Sequence, residues 1–136
     1  MRRLRWAMVM MCIASTPAAA IEPYLFDIIK KPAYARALST LFDGSGKLPD
    51  WTREMRKPRG NYVASPATRA AAAGVTYEMF HACKPHDCKD NQMVVMFAPN
   101  GAQAWGALQE AGKPALYFGL PSAAQQGALK GEFSPP

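Results

Sequence analysis

The sequence predicts an α+β single domain with a central antiparallel β-sheet flanked by helices and a protruding disulfide-closed loop. Three observations carry that expectation. Apolar residues in the first third recur at helical spacing. The middle and end hold short apolar or alternating runs separated by Gly/Pro turns. A serine N-cap and an alanine-rich run come last.

Residues 1–20 read as a signal peptide. Arg2, Arg3 and Arg5 form a positive start, Trp6 to Ala14 is apolar, and Ala18-Ala19-Ala20 suits signal peptidase. The apolar run is short of the roughly 20 residues that cross a bilayer. A lipid anchor at Cys12 is poorly supported, because Met10 and Met11 precede it. Cleavage after Ala20 would leave residues 21–136 as one domain. Three of the 16 basic residues would go and none of the 10 acidic ones, so the net charge would fall from +6 to +3. That is too mild for a nucleic-acid surface. Arg53, Arg56, Lys57 and Arg59 cluster, and a solvated helix face accounts for them. No later segment is apolar enough to span a membrane, so no membrane association is expected once the signal is gone. Export out of the cytoplasm is expected.

Tyr24 to Ile29 forms a short apolar helix. A second helix runs from Pro32 to Phe42, where Tyr34, Ala37, Leu38 and Leu41 share one face. Asp43 to Gly46 ends it. A helical turn over Leu48 to Met55 should carry Trp51 into the core, and Lys57 to Ser65 reads as a connecting loop. Ala67 to Gly74 suits strand or helix, with strand preferred. Val75 to Phe80 alternates. Met93 to Phe97 has no polar residue and should be a central strand. Pro99-Asn100-Gly101 is a turn. Ala104 to Gln109 and Ala115 to Phe118 return as strands. Ser122 should cap a last helix over Ala123 to Leu129, and Ser134 to Pro136 should fray.

The stretch Phe80 to Lys89, FHACKPHDCK, connects two of these strands. His81, Cys83, His86 and Cys88 have zinc-binding chemistry, but structural zinc sites usually join two separated pairs of ligands. A redox dithiol is usually Cys-x-x-Cys at a helix start; this is Cys-x₄-Cys between strands. Two cysteines in an exported chain favour a disulfide. Closing six residues would restrain the unfolded chain by roughly 2 kcal/mol. Its larger effect would be to hold Lys84, Pro85, His86 and Asp87 on a rigid loop, which suits insertion into another protein's cleft.

The hexapeptide CKPHDC, Cys83 to Cys88, resembles the signature loop of the family of periplasmic inhibitors of vertebrate lysozyme (Ivy). Tyr24-Leu25-Phe26-Asp27, Lys31-Pro32-Ala33-Tyr34 and the Pro99-Asn100-Gly101 hairpin also fit that family. The resemblance implies a periplasmic binding protein whose partner is C-type lysozyme. With no histidine beyond His81 and His86 and no obvious pair of acidic residues, no enzymatic activity is expected, and neither a cofactor nor a metal. It implies that Lys84, Pro85, His86 and Asp87 enter the cleft and that His86 reaches the catalytic carboxylates. Asp87 would orient His86 or hydrogen-bond the loop's backbone. His81 has no matching role and should be a satisfied strand-end histidine. Glu78, Asp90 and Glu110 are scattered and should be solvated. Vertebrate lysozymes are cationic, as is this chain, so overall charge should slow the encounter. That tension leaves a second partner class open, the cell's own lytic transglycosylases. A metal-binding module is the alternative of another class. The sequence leaves the oligomeric state open, a homodimer included.

Overall fold

The computed structural model describes residues 15, 17, 18 and 20–133. The signal segment, with Cys12, therefore lies almost wholly outside the described residues, as does the tail from Ser134. Within them, helix α1 (Leu25–Ile28), helix α2 (Pro32–Asp43) and a 3-10 helix (Asp50–Arg56) come first. Strands β1 (Val63–Ala64), β2 (Thr68–Ala72), β3 (Val75–Cys83), β4 (Asn91–Phe97), β5 (Ala104–Glu110) and β6 (Leu116–Phe118) follow, and helix α3 (Ala123–Gly131) completes the order. No helix among the described residues is long and apolar enough to cross a membrane.

The six strands form one antiparallel sheet in the order β1-β3-β4-β5-β6, with β2 pairing the other part of β3. Strand β4 lies at the centre, as its unbroken apolar run requires. Successive side chains of a strand point to opposite faces, and both faces here are covered. Met93, Val95 and Phe97 pack with Leu25, Tyr34, Leu38 and Leu41 from the first helices. Val94 and Met96 pack with Tyr77, Trp105 and Leu129 on the α3 side. Between two apolar layers, the stretch from Met93 to Phe97 has no face that favours a polar residue; the buried Gln92 at the start of the strand bonds His81.

Helix α2 begins with proline in its first turn and buries Tyr34, Leu38, Leu41 and Phe42. Helix α3 is capped as expected. Ser122 Oγ accepts from the Gln125 N–H at 3.2 Å, and Gln125 Oε1 accepts from the Ser122 N–H at 2.8 Å. Gln125 Nε2 also donates to the Tyr77 hydroxyl at 3.0 Å, which docks the helix on β3. Between β4 and β5, Asn100 and Gly101 both take left-handed backbone, with φ of 60° and 68°. A Cβ on Gly101 would lie 2.7 Å from the Tyr34 ring, so only glycine meets both demands.

The structure departs from the sequence reading at several points, among them the start of β4 at Asn91 rather than Met93. The connection from Lys57 to Ser65 contains β1, a two-residue strand too short to leave a pattern. Strand β3 continues past Phe80 to Cys83, because Val63 and Ala64 on one side and Gln92 and Met93 on the other pair its last residues. Helix α3 runs two residues beyond Leu129. Trp51 is half-buried against the core rather than within it.

Candidate functional site

The seven residues Lys84 to Asp90 join β3 to the central strand β4 and project from one end of the sheet. Cys83 is the last residue of β3 and is buried. It is bonded to Cys88, with the two Cα atoms 4.8 Å apart. The bridge occupies both sulfurs, leaving no thiolate to ligate zinc. Inside the ring, the Asp87 N–H donates to the Lys84 carbonyl at 3.1 Å, closing a four-residue turn from Lys84 to Asp87. Pro85 occupies the second position and His86 the third. His86 has φ of +62°. Proline followed by positive φ is the pattern of a type II turn, whose third position ordinarily belongs to glycine or asparagine. Histidine is among the residues tolerated in left-handed backbone, at a cost. His86 and Lys84 are exposed, while Pro85, Asp87 and Cys88 are half-buried. The ring therefore offers its imidazole at the apex.

The loop is rooted by β4. The Lys84 N–H donates to the Asn91 carbonyl at 3.1 Å, and the Asn91 N–H donates to the Asp87 carbonyl at 3.1 Å. Asn91 Nδ2 donates to Asp87 Oδ2 at 2.7 Å. The carboxylate's partner is thus a side chain on the next strand. It is neither His86 nor the loop backbone, the two roles expected for Asp87. On the outgoing limb, Gln92 Nε2 donates to the Lys89 carbonyl at 3.4 Å, and the Ala111 N–H donates to the Asp90 carbonyl at 2.8 Å.

His81 lies on β3 outside the ring and is satisfied, as expected. Its Nε2 lies 2.7 Å from Gln92 Oε1, and its Nδ1 lies 3.5 Å from Ser65 Oγ. The expected basic cluster carries its own acids. Arg53 faces Asp50, Arg56 faces Asp43, and Lys57 faces Glu54, all near the surface. Such exposed pairs contribute little energy, and they leave the face a solvated one. Of the carboxylates expected to be solvated, Asp90 is exposed while Glu78 and Glu110 are half-buried, and Glu78 has a distant partner. It accepts from the Tyr34 hydroxyl at 2.5 Å. Burial, then this hydrogen bond and charge, push the Tyr34 phenol up to about 12. Glu110 pairs with Lys113 at 3.6 Å.

The site is a projection rather than a cavity. A cleft lined by Arg36, Leu41 and Gln103 lies beside the Pro99–Gly101 turn, at the opposite end of β4. Sequence reading found the residues of the ring but not its apex geometry, nor Asn91. A proline followed by a histidine, five positions before the start of β4, is the only signal for the first. Nothing local marks the second.

Comparison with known proteins gives one family. The model for "Inhibitor of vertebrate lysozyme (Ivy)" matches residues 33–126. The chain is 31% identical over 106 residues to the inhibitor of vertebrate lysozyme of Pseudomonas aeruginosa, covering 77% of this chain and 66% of that one. It is 28% identical over 94 residues to the protein of the same name in Escherichia coli K12, covering 69% and 56%. The chain thus spans between about half and two thirds of the length of these relatives.

Proposed function

Since the chain belongs to the inhibitor of vertebrate lysozyme family, we propose that it inhibits C-type lysozyme outside the cytoplasm. In this reading the Cys83–Cys88 loop enters the active-site cleft and His86 sits between the two catalytic carboxyl groups. The observation that carries it is the exposed imidazole at the apex of a disulfide-closed turn rooted on the interior of the sheet.

The chemistry is that of occupancy. A retaining glycosidase holds its two carboxyl groups about 5–5.5 Å apart, one kept protonated by its surroundings and one ionised. Imidazole has two opposed nitrogens. One can donate to the carboxylate while the other accepts from the acid, or donates in the imidazolium form. Both the acid and the nucleophile are then engaged, and no bond of the inhibitor needs to break. The fixed turn supports this role, because a loop already in its bound shape gives up little freedom on docking. Lys84, exposed in the same turn as His86, would meet an acidic cleft wall. Asp87 lies half-buried behind the apex. The disulfide fits an oxidising compartment, in keeping with the signal segment expected over residues 1–20 and an inhibitor domain over 21–136.

The test is lysis of cell walls by purified C-type lysozyme in the presence of the protein. Wild type should inhibit, and His86→Ala should lose inhibition at unchanged melting temperature. Undiminished inhibition by His86→Ala refutes the role of the imidazole. No inhibition by wild type refutes the function.

A further inference from the structure

We infer that Asn91, outside the ring, is the residue that positions it, and that the Asp87 carboxylate serves Asn91 rather than the target. The inference rests on the lysozyme-inhibition reading for its activity assay, though its structural arm stands apart from it.

Three hydrogen bonds converge on this one residue. The Asn91 carbonyl accepts from the Lys84 N–H at the near side of the turn, and its N–H donates to the Asp87 carbonyl at the far side. Its side-chain amide reaches the Asp87 carboxylate at 2.7 Å. A carboxylate accepts only, so the amide must present its NH₂ there, which fixes the amide's orientation. The bond is charge-assisted and stronger than a neutral one. Lys84 and Asp87 are the first and last residues of the turn whose third residue is His86. Holding both ends from β4 leaves the left-handed φ of His86 as the conformation that closes the turn. The disulfide cannot do this alone, since it ties Cys83 to Cys88 and leaves the four residues between them free to rearrange. Asn91 is itself fixed as the first residue of β4, opposite Glu110 of β5. Position thus passes from the sheet to Asn91, to the ends of the turn, and to the imidazole.

The test is a double-mutant cycle in the whole domain with Asn91→Ala, Asp87→Ala and the pair together, plus Asp87→Asn. Three readouts apply: inhibition of purified C-type lysozyme, amide exchange at Asp87 and Asn91, and melting temperature. Removing a hydrogen bond to a charged group should weaken inhibition about tenfold in either alanine variant. The double variant should be no worse than either single one, because both remove the same restraint. Asp87→Asn keeps an acceptor oxygen and should inhibit within about threefold of wild type, as the amide bond is retained. Amide protection should fall in the alanine variants and persist in Asp87→Asn, with melting little changed. Additive losses, or equal losses in Asp87→Asn and Asp87→Ala, would show that Asp87 touches the target by its charge and overturn the proposal. So would full inhibition by Asn91→Ala. If wild type fails to inhibit, the lysozyme reading falls. The exchange pattern then decides the positioning by itself: protection lost in Asn91→Ala supports it, and protection kept overturns it.

Discussion

Replacing His86 by glycine should make the domain more stable while removing the imidazole proposed to inhibit lysozyme. The reason is the backbone. At φ of +62° a side chain bearing Cβ crowds the following carbonyl, at about 1–2 kcal/mol for a residue other than glycine. Glycine is free of that strain but loses more freedom on folding, about 0.5–1 kcal/mol. The net gain for His86→Gly is therefore about 0.5–1 kcal/mol. In a domain of this size that is a rise of roughly 2–4 °C in melting temperature. Alanine keeps the Cβ and should melt with wild type. Valine, branched at Cβ, should melt lowest, because a β-branched residue at positive φ is an outlier. Asparagine should fall between alanine and glycine. Inhibition should be lost in all four. The assay pairs thermal unfolding with the cell-wall lysis curve for each variant. A glycine variant that melts below the alanine variant would refute the left-handed apex. A stability order that tracked residual inhibition would refute the separation of backbone strain from imidazole function.

Three further outcomes follow from the same structure. Replacing Cys83 and Cys88 together by alanine should cost about 2 kcal/mol, as a ring of six residues implies, and weaken lysozyme inhibition about tenfold at 25 °C; inhibition equal to wild type would reduce the bridge to a staple. Gly101→Ala combines a φ of +68° with a contact of 2.7 Å on the Tyr34 ring, and should cost at least about 2 kcal/mol in denaturant unfolding, a loss of under half that arguing against the close approach. At alkaline pH, Tyr34 and Tyr62 are both raised to about 12, by burial first and by Glu78 and Asp27 respectively after it. The folded state thus prefers the protonated phenols, so stability should be intact below about pH 10 and fall as pH climbs toward 12. Tyr34→Phe should flatten that fall, and an unchanged alkaline slope would contradict the assignment.

How much of this could be read from the sequence depended on the range of the interaction. The run from Met93 to Phe97 announced a strand buried on both faces, and the two apolar layers around β4 explain why. Ser122 announced a helix start because its capping partner is three residues away. Cys83 and Cys88, five positions apart, were legible as a pair for the same reason. Tyr34 and Glu78 meet across 44 positions, and Glu78 was accordingly expected in solvent. Strand β1 exists through its pairing with the end of β3, so neither its presence nor the extension of β3 to Cys83 had a local signal. His86 was legible as the residue the ring displays, but its left-handed backbone was not, since histidine seldom stands where a type II turn asks for glycine. Asn91 reads as an ordinary first residue of a strand until its three bonds to the turn are seen.

The closed turn also bears on the survival of the molecule among peptidases. An exposed loop tip is where proteolytic nicking concentrates, and Lys84 is an exposed basic residue at that tip. Its carbonyl is held by the Asp87 N–H, and the next residue is Pro85, which has no N–H to offer. To be cut, the segment would have to unroll into an extended strand, and the bond between Cys83 and Cys88 forbids that over so few residues. Within this connection, the exposed lysine outside the ring is Lys89. A nick after it would part β3 from β4 while leaving the ring whole on β3. The ring that displays the imidazole is thereby a poor substrate for peptidases.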